Sequence, residues 1–193
     1  MNVLQTLPKS ATINTGNNED SHILNDTIKI AMNIYQMNNE IDSIKNELIG
    51  EVENYIFKRF PKVNRNLPTL IVENGLEHNI DIAFMMAQAK IETCFGTAGA
   101  GRESSRRSLF GVALRTYSSY DKAIKDYISI LKKSYLRNGR TEQHLMQKYT
   151  TISGYRYAGS TRYEPELRLA YMDINKKTNI RELQNKYKKT NNK

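Results

Sequence analysis

The stretch NIDIAFMMAQAKIETCFG, residues 79–96, decides the fold of this chain. Its apolar residues recur at intervals of three and four, which is the spacing of one face of an α-helix. The residues on that face are Ile80, Ala83, Phe84, Ala87 and Ile91. Asn79 is of a residue type that caps a helix N-terminus. We therefore predict one buried central helix that ends near Glu92.

The chain after this helix alternates loops with further helical patterns. A polar, glycine-rich loop at residues 96–108 precedes the apolar turn LFGV at residues 109–112. Ser118 can cap the next helix, with Asp121 three residues later in the capping-box position. Apolar side chains with helical spacing follow over residues 124–135, 141–149 and 165–174. Because strand-like alternation is nearly absent, the sequence predicts a mainly α fold.

The chain before this helix divides into an arm and a helical segment. Residues 1–20 lack apolar periodicity, which is typical of a flexible or partner-bound arm. Residues 21–60 show helical spacing with a slip near Asn38, which predicts one long helix or a helical hairpin. The stripe Ile41, Ile44, Leu48 and Tyr55 has heptad-like spacing. Packing of this stripe on the protein's own core is favoured over self-association or docking to a partner.

The charge of the 193-residue chain is unevenly distributed. Residues 1–100 carry a net charge of -4 and residues 101–193 a net charge of +13, which gives +9 in total. The basic half can attract nucleic acid, a membrane surface or an anionic cell-wall polymer, or it can be a solvated face that keeps the protein soluble. We expect the basic tail, residues 176–193, to be frayed.

Several function classes are disfavoured by what the sequence lacks. Cys94 is the single cysteine and the three histidines are scattered, so we predict neither a disulfide within the chain nor a metal site. No cofactor motif is present. The chain has no apolar run of the roughly 20 residues that span a bilayer and no signal-peptide pattern at its start. We therefore expect a protein made in the cytoplasm without a membrane span.

Glu92 is the clearest candidate for a catalytic residue. A carboxyl group at the C-terminal end of a buried helix is partly desolvated and faces the negative end of the helix dipole, and both effects raise its pKa. A carboxylic acid that stays protonated near neutral pH can protonate the leaving oxygen of a glycosidic bond. Two alternatives stay open: Glu92 is an ordinary surface residue, or the arginines at positions 102, 106 and 107 lower its pKa instead.

Four segments together resemble a known family. AQAKIETCFG (residues 87–96) resembles the AQAxxESxxG signature of the bacterial and phage glucosaminidases grouped as glycoside hydrolase family 73. LFG (109–111) is similar to their NLFG turn, and YSSYDKAIKDY (117–127) to the segment that follows it. GYRYAGSTRY (154–163) resembles their GYAxxxxY element. The resemblance covers residues 67–175, in the family's order and approximate spacing.

The resemblance implies a lysozyme-like helical domain at residues 67–175, with residues 21–60 as an N-terminal extension and a reduced β-lobe. It implies a peptidoglycan hydrolase that cleaves the β-1,4 bond after N-acetylglucosamine in glycan strands. Glu92 is then the general acid and Tyr157 the tyrosine beside the reacting sugar. The residues that the resemblance or their position assigns to substrate binding are Gln88, Phe110, Gly111, Tyr120 and Tyr163.

The sequence departs from the family pattern at the second acidic group. The segment Val112–Tyr117, where family members usually carry that acid, holds none. Glu103 or Asp121 can take its place, although the capping role explains Asp121 better. Without either residue, the acetamido group of the substrate can act as the nucleophile.

A rival interpretation is a lysozyme-like protein with little or no activity, kept for its shape as a virion or assembly component. Its partner would bind through residues 1–60. The missing signal peptide and the cell-wall motifs favour a bacteriophage product that acts at the bacterial wall, in either interpretation. A nucleic-acid partner is disfavoured, because the sequence lacks the interleaved aromatic and basic residues of nucleic-acid modules.

Overall fold

The computed structural model describes residues 18–99, 107–112, 115–147 and 158–192. In these ranges the chain forms helices and no strand, which confirms the mainly α prediction. The helices are α1 (Asn18–Arg59), α2 (Leu67–Glu77), α3 (Ile82–Thr93), α4 (Tyr120–Ile130), α5 (Glu142–Leu145), α6 (Tyr163–Lys177) and α7 (Ile180–Asn191). A π-helical turn, Leu131–Tyr135, follows α4 directly. The chain divides into two compact units, Met1–Glu40 and Ile41–Lys193.

The first unit contains the N-terminal half of α1. The prediction left open a single helix or a hairpin for residues 21–60, and the structure has a single helix, Asn18–Arg59. The side chains of residues 22–40 are exposed, apart from the partly buried Met37. Residues 1–17 of the predicted arm lie outside the described residues.

The second unit contains the hydrophobic core. Ile44, Leu48 and Tyr55 are buried in it, which confirms that this part of the α1 stripe packs on the protein's own core. Eight consecutive residues of α3, 82–89, are also buried. Helix α3 contacts α2, α6 and α7. Because it is covered on several sides, α3 is apolar around most of its circumference, and polar side chains within it must find partners.

Helix α3 begins two residues later than predicted. Its N-cap is Asp81, whose side chain accepts a hydrogen bond of 3.1 Å from the Phe84 N–H. Asn79 instead has a φ of 52°, in the left-handed region that Asn tolerates better than most residues. It belongs to the tight turn after α2, in which the Ile80 N–H donates to the Gly75 carbonyl at 2.8 Å. The prediction of Asn79 as the cap is therefore wrong.

The prediction of a frayed basic tail at residues 176–193 is also wrong. Residues 176 and 177 end α6, and α7 covers Ile180–Asn191. The buried Gln184 side chain accepts from the Ile82 N–H at 3.1 Å and donates to the Ile80 carbonyl at 2.7 Å. It thus satisfies two backbone groups at the start of α3, which no composition-based argument about the tail could reveal.

None of the helices in the described ranges combines the length and the apolar character needed to span a membrane.

Candidate active site

The candidate site is built where α3 ends. Cys94, Phe95 and Gly96 all have positive φ angles, of 47°, 58° and 83°. These left-handed residues stop the helix directly after Thr93 and turn the chain back across its end. The turn is closed by a hydrogen bond of 2.9 Å from the Phe95 N–H to the Ala89 carbonyl. Glu92 therefore lies in the last turn of α3 and is partly buried.

Thr93 ties this helix end to the segment that carries Phe110 and Gly111. Its buried hydroxyl donates to the Leu109 carbonyl at 2.8 Å and accepts from the Gly96 N–H at 2.9 Å. A single side chain thus joins the end of α3, the left-handed turn and the LFG turn. Serine stands at this position in the family that the sequence resembles, and either hydroxyl can make both bonds.

Gly111 lies against the carboxyl group of Glu92. A Cβ atom built on Gly111 would lie 2.9 Å from Glu92 Cδ and closer still to Oε2. The residue also has a φ of 61°, where a side chain is strained. Both observations favour glycine here, because a side chain would be strained and would displace the Glu92 carboxyl group from its position.

A chain of hydrogen bonds connects the carboxyl group to the interior. Tyr127 donates its hydroxyl proton to Gln88 Oε1, and Gln88 Nε2 donates to the Tyr163 hydroxyl at 3.1 Å. The Tyr163 hydroxyl in turn bonds to the Glu92 carboxyl group. A tyrosine hydroxyl can accept from Gln88 and donate to a carboxylate at the same time. Gln88 thus lies between two tyrosine hydroxyls, one of which interacts with the Glu92 carboxyl group.

The pKa of Glu92 is raised above its ordinary value. Burial of the carboxyl group is the main cause, and the hydrogen bond from Tyr163 opposes it by stabilising the anion. The sequence left open whether arginines would reverse this direction. Arg107 donates to the Tyr117 carbonyl at 3.0 Å. Residues 102 and 106 lie outside the described residues.

Glu92 lines a cavity of about 440 Å³, within the size range of small-molecule sites. The cavity is rich in aromatic and aliphatic side chains, and Phe110 stacks on Tyr127 with the ring centroids 3.8 Å apart. Such ring faces and the phenol hydroxyls suit a ligand that has both apolar and polar faces, as a sugar does. The other described lining residues are Gln88, Gly111, Val112, Ile130, Leu131, Tyr135, Ala158, Gly159, Ser160 and Tyr163.

Five of the predicted site residues are brought together in this cavity: Gln88, Glu92, Phe110, Gly111 and Tyr163. Tyr163, which α6 contributes, acts on Glu92 through a hydrogen bond as well as lining the wall. Tyr157 and Glu103, the predicted second catalytic residue and candidate second acid, lie outside the described residues.

Asp121 and Tyr120 are not among the residues that line the cavity. The Asp121 carboxylate accepts from Asn74 Nδ2 at 3.2 Å and pairs with Lys125 at 2.9 Å. Its predicted capping-box position is also wrong, because the N-cap of α4 is Ser119 rather than Ser118. Tyr120 lies beside the left-handed turn, where its hydroxyl would be 3.3 Å from a Cβ atom on Gly96. Asp121 therefore bonds to side chains of α2 and α4, and Tyr120 lies beside the turn that ends α3.

Sequence reasoning missed Tyr127 and Tyr135 as cavity residues, because their helical spacing places them in an inner stripe. Tyr127 is buried, and its hydroxyl bonds to Gln88. A buried phenol needs a hydrogen-bonding partner, so a tyrosine and a glutamine that are both predicted to be buried are the signal that could have found this contact.

The described residues contain no group of three or more histidine, cysteine, aspartate or glutamate side chains arranged to hold a metal ion. Comparisons of the chain with protein-family models, with curated proteins and with solved structures find no match.

Proposed function

We propose that this protein is a peptidoglycan hydrolase that cleaves the β-1,4 glycosidic bond after N-acetylglucosamine, with Glu92 as the general acid. One observation carries the proposal: a partly buried carboxyl group with a raised pKa lies in the wall of an aromatic cavity, against a glycine turn. The resemblance of residues 67–175 to the glucosaminidases, with their lysozyme-like fold, supplies the substrate class.

The chemistry follows from the protonation state of Glu92. Burial keeps its proton to a higher pH than an exposed carboxyl group would, so the acid form is available to the leaving oxygen. As that oxygen takes the proton, the bond to the anomeric carbon breaks and positive charge develops on the sugar ring. Tyr163 then stabilises the carboxylate that remains, through the bond it already makes.

The proposal has two candidates for the group that attacks or stabilises the anomeric carbon. Glu92 is the only carboxylate among the described residues that line the cavity. Two sources fit the proposal: Glu103 of the glycine-rich loop, or the acetamido oxygen of the substrate itself. Tyr157 is assigned beside the reacting sugar by the resemblance alone.

The test is digestion of purified peptidoglycan by the wild-type protein and by Glu92→Gln, followed by mass spectrometry of the reduced muropeptides. We expect the wild type to release new reducing N-acetylglucosamine ends and Glu92→Gln to release none. Glu166→Gln is the matched control, because Glu166 is exposed on α6 and should leave the activity unchanged. Release of reducing N-acetylmuramic acid ends would contradict the bond assignment.

The identity of the second catalytic acid is tested by Glu103→Gln and Asp121→Asn in the same assay. Loss of activity in Glu103→Gln would identify it as the second acid, whereas full activity in both variants would favour the acetamido oxygen. Asp121→Asn should remain active, since the Asp121 side chain is held by Asn74 and Lys125.

A second candidate function is a catalytically weak or inactive lysozyme-like component of a bacteriophage virion. The observation that favours it is the lack of a second carboxylate among the described cavity residues. A folded wild-type protein that releases no muropeptides from mildly acidic to neutral pH would support this function over the hydrolase.

A further inference from the structure

The N-terminal half of α1 carries an apolar surface that the proposed hydrolase function does not use. We define the α1 face as the exposed large apolar residues of this segment: Ile23, Leu24, Ile28, Ile30, Met32, Ile34 and Tyr35. Their exposed fractions run from 44% to 66%. Together they expose on the order of 700 Å² of surface, more than the few hundred Å² of a usual monomer patch.

The α1 face has the geometry of a helix interface. Ile23, Thr27, Ile30, Ile34 and Met37 alternate at intervals of four and three residues, which is the heptad spacing of helices that pack along their length. A second row, at positions 24, 28, 31 and 35, lies beside the first and widens the apolar surface to about half of the circumference. The polar residues occupy the opposite side: Asn25, Asp26, Lys29, Asn33, Gln36 and Glu40.

We propose that this protein self-associates, and that the occupant of the α1 face is the same face of another copy. The exposed area comes close to the roughly 800 Å² that each partner contributes to a standard protein interface. Isoleucine occupies three of the five heptad positions, as in the apolar seam of helices that pack along their length. Each copy supplies the same apolar row, so the interface is complementary to itself.

The charge of the segment argues against an anionic lipid surface as the occupant. Residues 18–40 contain four acidic side chains and one lysine. Helices that lie on membranes carry lysine and arginine on their polar side, so that they are attracted to anionic headgroups. This segment would be repelled by such headgroups.

The experiment is sedimentation velocity of the full chain over a wide concentration range. We expect the wild type to sediment as two or more copies. Ile30→Asp/Ile34→Asp, which buries four or more charges in the assembled interface, should raise the dissociation constant at least about 100-fold. Asn33→Asp/Gln36→Asp is the matched control, because it adds the same charges on the polar side and should not change the dissociation constant.

A second variant separates loss of the interface from loss of the helix. Ile30→Ala/Ile34→Ala keeps good helix formers, as circular dichroism can verify, and removes only the packing side chains. It should also weaken self-association. A monomeric wild type would overturn the proposal, and so would an oligomer that is unaffected by both isoleucine variants. If a monomeric wild type binds phosphatidylglycerol vesicles and Ile30→Ala/Ile34→Ala does not, the face belongs to lipid instead, because the basic half of the chain is the same in both.

Discussion

Gly111→Ala offers the sharpest test of the site geometry, because two independent effects act at this position. The φ of 61° is left-handed, which costs a residue with a side chain about 1–2 kcal/mol. Alanine also lowers the entropy of the unfolded chain, which raises the free energy of unfolding by about 0.4–1 kcal/mol. The net backbone effect therefore lowers the free energy of unfolding by about 1 kcal/mol.

The second effect is the contact with Glu92. The added methyl group would lie 2.9 Å from Cδ of Glu92 and closer to Oε2, well inside van der Waals contact. If the surroundings resist, the overpacking adds about 1–3 kcal/mol to the loss of stability. If the flexible Glu92 side chain rotates away, that cost is small, but the carboxyl group leaves its position. A displacement of about 1 Å lowers the rate of a positioned catalytic group about 100-fold.

Two other glycines serve as controls for these effects. Gly139 has a φ of 75° with open space around it, so Gly139→Ala measures the net backbone effect without a clash. Gly159 lines the same cavity without a left-handed φ or a near neighbour, so Gly159→Ala should not lower the free energy of unfolding and should raise it by at most about 0.4–1 kcal/mol. The readouts are urea unfolding and muropeptide release. Wild-type activity in Gly111→Ala, or equal losses in all three variants, would refute the close approach of this turn to Glu92.

Three further variants test the electrostatics of the site and the packing of α7 against the start of α3. Because burial raises the pKa of Glu92, its ionised form destabilises the folded protein. Glu92→Gln should therefore have a higher free energy of unfolding than wild type at neutral pH. In urea unfolding below pH 4.5, the ordinary pKa of the group, the difference should vanish. Tyr163→Phe removes the hydrogen bond that lowers this pKa, so the loss of activity with rising pH should move to higher pH. Gln184→Ala leaves two buried backbone groups of the α3 start unpaired and should cost about 2–4 kcal/mol in urea unfolding. The exposed Asn185→Ala is its control, and equal unfolding of both would contradict the docking of α7.

The sequence by itself determined several of the helices, though not α2 or α7, and the leading candidate for catalysis. Helical spacing is a local property, so it predicted the helical nature of residues 21–60 and 82–92. Glu92 was identified because its position at the end of a buried helix has a direct effect on its pKa. The direction of that shift agrees with the expectation, and burial, one of the two expected causes, is the main cause in the structure.

The prediction of a frayed tail failed because it relied on composition. The tail is rich in lysine and asparagine, and such a segment gains little from burying its own side chains. Its Gln184 side chain is held instead by two backbone groups that lie about a hundred residues earlier in the chain. Pairing over that distance depends on how the helices pack.

Only the tertiary structure decided the contacts that make the site specific. The hydrogen-bond chain joins Gln88 to residues 39 and 75 positions away, and Gly111 reaches Glu92 across the glycine-rich loop. Asp121, which precedes the cavity residue Tyr127 in α4, pairs with Lys125 instead. Periodicity states which face of a helix is apolar, but the partner of each polar group is chosen by the packing of distant segments, because a buried polar group is stable only where a partner meets it.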